Sequence, residues 1–233
     1  MGTPPPEHLD PDTGSYVTLA GAAARWDRVS GRLGQDLRAR LVALLTVVRD
    51  PRQDTRARHF SAAKAAGLLG EALPDEFGAG GHARLVAVHQ AAGRLPSVQG
   101  FTAEDFAVLL LDGHRMVGPI LGPVRERLLA EPALDADEVQ RGGGSPHSPD
   151  LIRLPGPGGR LRLPRFQFSE DALPWLPVLE VNALLDADHD PWGAADWWLS
   201  ANAWLGGTSP VRLLGTGRDR QLVETARFLM ESD

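Results

Sequence analysis

Cysteine is absent from all 233 positions. That absence excludes a disulfide framework, a thiol nucleophile and a thiolate zinc site together. Lysine is nearly absent too: Lys64 is the only one, so positive charge is carried by arginine. Long apolar runs are missing: stretches such as residues 41–45 are far shorter than the ~20 residues that span a bilayer. No basic patch leads into an apolar stretch at the N-terminus. These absences predict a soluble, cytoplasmic protein with no membrane partner. The glycine-rich pieces at 142–144, 155–159 and 215–217 complete neither Gly-x-x-x-x-Gly-Lys-Ser/Thr nor Gly-x-Gly-x-x-Gly, and no Gly-x-Ser-x-Gly elbow occurs. Nucleotide hydrolysis and serine-hydrolase chemistry therefore have no basis in the sequence.

What is present suffices for a core, since 42% of the residues are hydrophobic and the length suits one or two domains. The net charge of −6 is unevenly placed. Residues 1–60 hold nine Arg against seven acids, and within them 25–58 holds the same nine Arg against four Asp. Residues 61–165 are nearly neutral, whereas 166–233 hold four Arg against eleven acids. The C-terminal third would repel nucleic acid, so any DNA contact is expected upstream of Phe166.

Residues 1–14, rich in proline and acid and without apolar periodicity, read as a disordered leader. Over 16–50, Trp26, Val29, Leu33, Leu37, Leu41, Leu44 and Val48 recur at three- and four-residue steps, which predicts one long helix stopping at Asp50-Pro51. Such a helix packs on its own domain or forms a dimer seam. Shorter helices are expected at 61–73, 83–92, 102–112 and 117–130, the third opening on Thr102-Ala103-Glu104-Asp105, which resembles a capping box with Asp in place of Glu. Residues 140–149 (QRGGGSPHSP) have linker composition, giving an expected helical N-terminal domain over 15–140, a linker over 141–150 and a C-terminal domain over 151–233. After a PGPGG turn, Leu161, Leu163, Phe166 and Phe168 nearly alternate with Arg160, Arg162, Arg165 and Gln167, the pattern of a wing-like β-hairpin with an arginine face. Helices return at 173–185, 192–202, 210–214 and 219–230. The expected fold class is mainly α with one short hairpin.

One set of residues in the C-terminal third has a specific spacing: Pro164, Gln167 and Phe168; Trp197, Trp198, Asn202, Leu205 and Gly206; Ser209, Pro210, Leu213 and Leu214; Gly217 with Val223. In this order they resemble the Xre/MbcA/ParS-like toxin-binding domain of antitoxins, over under a third of the chain. Much of the pattern has a structural reading: Asn202 can cap or bridge backbone groups, Gly206-Gly207 permits positive φ at a helix end, and Pro210 suits a first helical turn. Trp192, Trp197, Trp198 and Trp204 exceed what one small core needs, and each is open to a core or an interface role. The resemblance implies a non-enzymatic antitoxin that binds a cognate toxin of the RES class, an enzyme that consumes NAD, and places C-terminal residues over its active site. It also implies a homodimer that represses its own promoter through an N-terminal helix-turn-helix. Trp197, Trp198, Asn202, Trp204, Leu205, Arg227 and Glu231 are then the candidate partner-binding residues, and the acidic tail with Glu224, Glu231 and Asp233 suits a basic toxin pocket.

Upstream, the family's short DNA-binding module is replaced by about 150 residues that do not match it. Residues 60–99 and 101–121 resemble helix-turn-helix units in part, the first with a turn too long and glycine-rich for the standard motif. The candidate DNA contacts are Arg153, Arg160, Arg162 and Arg165 on the hairpin, beside the arginine-rich 25–58 segment. The alternative function is a DNA-binding transcriptional regulator or nucleoid-associated protein that uses its C-terminal domain for self-association.

Asp186-x-Asp188-x-Asp190 opens like a calcium loop but has Pro191 at the sixth position and Trp197 at the twelfth. Ser61-Ala-Ala-Lys64 lacks the companion motifs of penicillin-recognising enzymes. His82 and His89 could share a helix face but have no carboxylate at ligand spacing. The sequence thus predicts no catalytic residue, no metal and no cofactor.

Overall fold

The helix expected over residues 16–50 is broken into pieces. The computed structural model, which describes residues 11–92 and 97–231, places there α1 (Pro11–Ala24), α2 (Trp26–Val29), a 3-10 turn over Ser30–Arg32 and α3 (Gln35–Arg49). The break falls where Ser30, Gly31 and Gly34 cluster, residues that gain little from helix, and Gly34 stands extended before α3 (φ −60°, ψ 160°). Residues 1–10 of the expected leader lie outside the described residues, and residues 11–14 open α1.

The chain folds back at the break, and α1 and α3 both pack on α4 (Thr55–Ala72). Asp54 caps α4, its carboxylate accepting from Ala57 N–H at 2.6 Å. Val29, Leu33, Leu41 and Val48, four of the seven residues of the periodic stripe, are buried in the unit's own core with Val17, Leu19, Leu45, Leu69, Leu85 and Phe106. This face is therefore spent internally rather than on a coiled-coil seam.

Next come α5 (Pro74–Phe77), α6 (Ala79–Ala92), the two-residue strands β1 (Ser97–Val98) and β2 (Phe101–Thr102), α7 (Ala103–Ala107) and a π-turn over Val108–Asp112. The α4 and α6 segments of the first helix-turn-helix candidate are separated by α5, and its residues 93–96 lie outside the described residues. The capping box forms as read: Thr102 accepts from Asp105 N–H, and the Asp105 carboxylate accepts from Thr102 N–H at 2.8 Å. Arg49 closes this region, pairing with Glu104 and Asp112, both at 2.7 Å.

Two compact units divide between Gly122 and Pro123. That point lies within α8 (Gly118–Ala130), where Pro123 supplies no amide hydrogen. The expected linker near residue 145 instead belongs to the second unit. After β3 (Ala133–Leu134) and α9 (Ala136–Arg141), Gly142 and Gly144 pack so tightly that an added Cβ would lie 2.7 Å from Ala172 Cβ and 2.9 Å from Val139 Cγ1. Glycine marks close approach here, which composition cannot distinguish from a loose tether.

The second unit continues with β4 (Leu154–Pro155), β5 (Leu161–Pro164), α10 (Leu176–Leu184), α11 (Pro191–Leu199) and α12 (Asp219–Glu231). Its small antiparallel sheet has the order β3-β5-β4, with Leu134 opposite Leu163 and Leu154 opposite Arg162. Val139, Leu151, Leu163 and Phe168 form one small cluster in this unit. A larger one gathers Leu128, Ile152, Leu154, Val178, Val181, Trp198, Leu213 and Leu222. The fold is mainly helical with a small antiparallel sheet. Among the described residues, no helix is long and apolar enough to cross a membrane.

Candidate partner-binding surface

Gln167, Asn182 and Trp198 are fully buried, and their polar atoms satisfy one another. Gln167 Oε1 accepts from Ile152 N–H at 2.7 Å, and its amide donates back to the Ile152 carbonyl at 3.0 Å, as a neighbouring strand would. Asn182 donates to Gln167 Oε1 at 3.0 Å and to the Asp150 carbonyl at 2.9 Å. The Trp198 indole N–H donates to Asn182 Oδ1 at 2.8 Å. Two motif residues, Gln167 and Trp198, thus serve to lock the hairpin region to α10 and α11. Asn182, which joins them, was not picked out by the sequence; its one signal was a lone amide in a helix whose only other polar side chain is Glu180.

Trp197 lies half-buried, edge-on to Trp198 with ring centroids 5.1 Å apart. Its indole N–H is buried and has no hydrogen-bond partner among the described residues. Asn202 caps the 3-10 turn Ala203–Leu205 by accepting from Trp204 N–H at 2.9 Å, and it bridges to Thr208. Gly206 (φ 68°) and Gly207 (φ 77°) take the left-handed conformation anticipated for them, and Pro210 opens the 3-10 turn Pro210–Leu213. Leu205 is buried beneath this turn.

Trp204 differs from the other motif residues. It is 61% exposed, and its ring meets Phe228 of α12 at 4.8 Å in an edge-to-face contact. Phe228 is itself 49% exposed and Met230 46%. Arg227 lies beside them on α12, exposed and 3.7 Å from Glu180, and exposed Glu231 ends the helix. The candidate residues therefore separate: Trp198 and Leu205 are core, Asn202 shapes the turn, and Trp204, Arg227 and Glu231 are surface. On the same turn Thr208, Ser209 and Arg212, with Leu199 and Glu131, line an open cleft of about 500 Å³.

The arginines proposed for DNA do not present one face. Arg162 donates to the Leu129 and Glu131 carbonyls at 3.0 and 3.1 Å, and Arg165 donates to the Phe168 carbonyl at 2.7 Å. Arg153 pairs with Asp188, and Arg160 is exposed. The arginine-rich 25–58 segment is similarly balanced from outside itself. Arg25 pairs with Glu76, Arg32 with Asp75, and Arg49 with Glu104 and Asp112. The Arg32 guanidinium holds the Asp75 carboxyl below its ordinary value. Arg28, Arg40 and Arg56 are exposed.

No group of His, Asp and Glu suited to a metal ion occurs among the described residues. In the Asp186-x-Asp188-x-Asp190 loop, Asp186 instead bonds His189 Nδ1 at 2.7 Å and raises the imidazole pKa above its usual value, aided by the charge of Asp188. Asp190 is consumed as the cap of α11, accepting from Gly193 N–H at 2.9 Å. Compared with family models, with curated proteins and with solved structures, the chain matches none.

Proposed function

We propose that the protein is a non-enzymatic, antitoxin-like factor whose C-terminal unit binds and neutralises a RES-type, NAD-consuming toxin. The observation that carries this reading is the exposed Trp204–Phe228 pair. Paired aromatics of this size left in water, with Arg227 adjoining Phe228 in α12, have the composition of a binding hot spot. The motif residues around them hold the turn that presents Trp204. Co-expression with a RES-type toxin tests the reading. Trp204→Ala combined with Phe228→Ala is expected to abolish rescue of growth while leaving the thermal midpoint of the purified protein within a few degrees; full rescue by that variant contradicts it.

Repression of its own promoter through DNA is the accessory part of this proposal. A wing-like role for the hairpin rests on Arg160, since Arg153, Arg162 and Arg165 already have partners within the unit. The competing regulator reading requires duplex binding that weakens steeply with salt.

A further inference from the structure

The N-terminal unit carries an exposed helix face whose chemistry is complementary to itself. Arg56, Phe60, Ala63, Lys64, Gly67 and Glu71 share one side of α4 at helical spacing, and all are exposed, whereas Ala62, Ala65 and Leu69 opposite them are buried. Phe60 is 65% exposed, with the Lys64 ammonium 5.5 Å from its ring centre. Alongside the helix lies a cleft of about 570 Å³, bounded by Ala63, Ala66, Gly67, Gly70, Phe77 and Ala79. At Gly67 a Cβ would meet nothing within 4 Å, so bare backbone forms the surface. Unlike charges sit on opposite sides of Gly67: Arg56 and Lys64 precede it and Glu71 follows.

We infer that this face joins two copies of the chain, α4 crossing α4 antiparallel near Gly67 about a two-fold axis. Antiparallel pairing is what the charges select. With Gly67 on Gly67, Lys64 of each copy lies beside Glu71 of the other, and Phe60 of each reaches the C-terminal end of the other's α4. Parallel pairing would set Lys64 on Lys64 and Glu71 on Glu71. The antiparallel contact is isologous, so every favourable pair is made twice, and the two helix dipoles oppose. One helix of 18 residues, ~27 Å long, buries less than the ~1,200–2,000 Å² of stable interfaces. The dimer is accordingly expected to form and dissociate in the micromolar range. Nothing in this inference depends on a toxin, and its failure would leave the toxin reading intact.

The cysteine-free chain allows a direct test on the full-length protein. Gly67→Cys supplies a single thiol at the crossing point. Mild oxidation at tens of micromolar should link most of it into a disulfide dimer, while Arg220→Cys, at a 91% exposed side chain on α12, should stay largely monomeric. In sedimentation equilibrium the wild-type mass should climb towards twice the monomer with concentration. Phe60→Glu and Lys64→Glu should each weaken association at least tenfold, and the swap Lys64→Glu with Glu71→Lys should recover most of it. A wild-type monomer throughout the range, equal cross-linking at the two cysteines, a dimer indifferent to Phe60→Glu, or a charge swap no better than the single change would each overturn the inference.

Discussion

Asn182 shows how much a single buried amide can organise. It gives both amide hydrogens to acceptors and receives the Trp198 indole N–H, so removing it takes a bond from the Asp150 carbonyl and from Gln167 and leaves the buried Trp198 indole N–H without its acceptor. Asn182→Ala should therefore destabilise the second unit by about 1–3 kcal/mol, read from chemical denaturation; a neutral result would mean water replaces the amide. At the surface, His189 offers a different check. Its contact with Asp186 favours the imidazolium in the folded turn, so the benefit is present below the ordinary histidine value and is lost as pH rises through the raised one. An NMR titration should find His189 above the usual range and Asp186→Asn should bring it back; a titration unmoved by that change would show that Asp186 is not the cause. The sequence could name Trp192, Trp197, Trp198 and Trp204 but not rank them, because their burial is decided by partners such as Asn182 on another helix, 16 positions from Trp198.

At the scale of elements, local rules carried well where the determinants are local. The capping box at Thr102, the left-handed pair Gly206-Gly207 and the proline opening the turn at Pro210 all depend on a few neighbouring residues. Gly206→Ala should cost about 1 kcal/mol by forcing a side chain into positive φ, measurable as a lowered thermal midpoint. Periodicity carried less well, since the stripe over 16–50 persists across a break set by Gly31 and Gly34. The turn that follows α7 was beyond local reading, because Asp112 is held by Arg49, 63 positions earlier. Asp112 is 2% exposed and Arg49 15%, so Asp112→Ala should remove about 3 kcal/mol from the first unit by leaving a largely buried guanidinium with Glu104 alone. A change below ~1 kcal/mol would show that water or Glu104 compensates.

At the scale of the whole molecule, charge counted along the chain and charge met in space give different answers. The segment 25–58 looks strongly basic when counted alone, yet three of its nine arginines, Arg25, Arg32 and Arg49, are paired with Asp75, Glu76, Glu104 and Asp112 from later in the chain. The mainly helical class, with a small amount of antiparallel sheet, was legible from pattern. The division at Gly122–Pro123 was not, because it falls inside a helix while the glycine-rich stretch that resembles a linker is packed. Separately expressed residues 1–122 and 123–233 are each expected to unfold in one cooperative transition, followed by circular dichroism; a fragment without a transition would refute that autonomy.

The order of those two units along the chain also bears on synthesis. Every member of the first core, from Val17 to Leu110, precedes residue 123, so the ribosome delivers it complete before the second unit has emerged. The second unit must wait for its last helix, because Leu222 and Ala226 of α12 belong to the cluster that Leu128 begins. A nascent chain stalled shortly before residue 219 would carry a finished N-terminal unit and an unfinished, apolar C-terminal one, which makes that stage of translation the one most in need of chaperone protection.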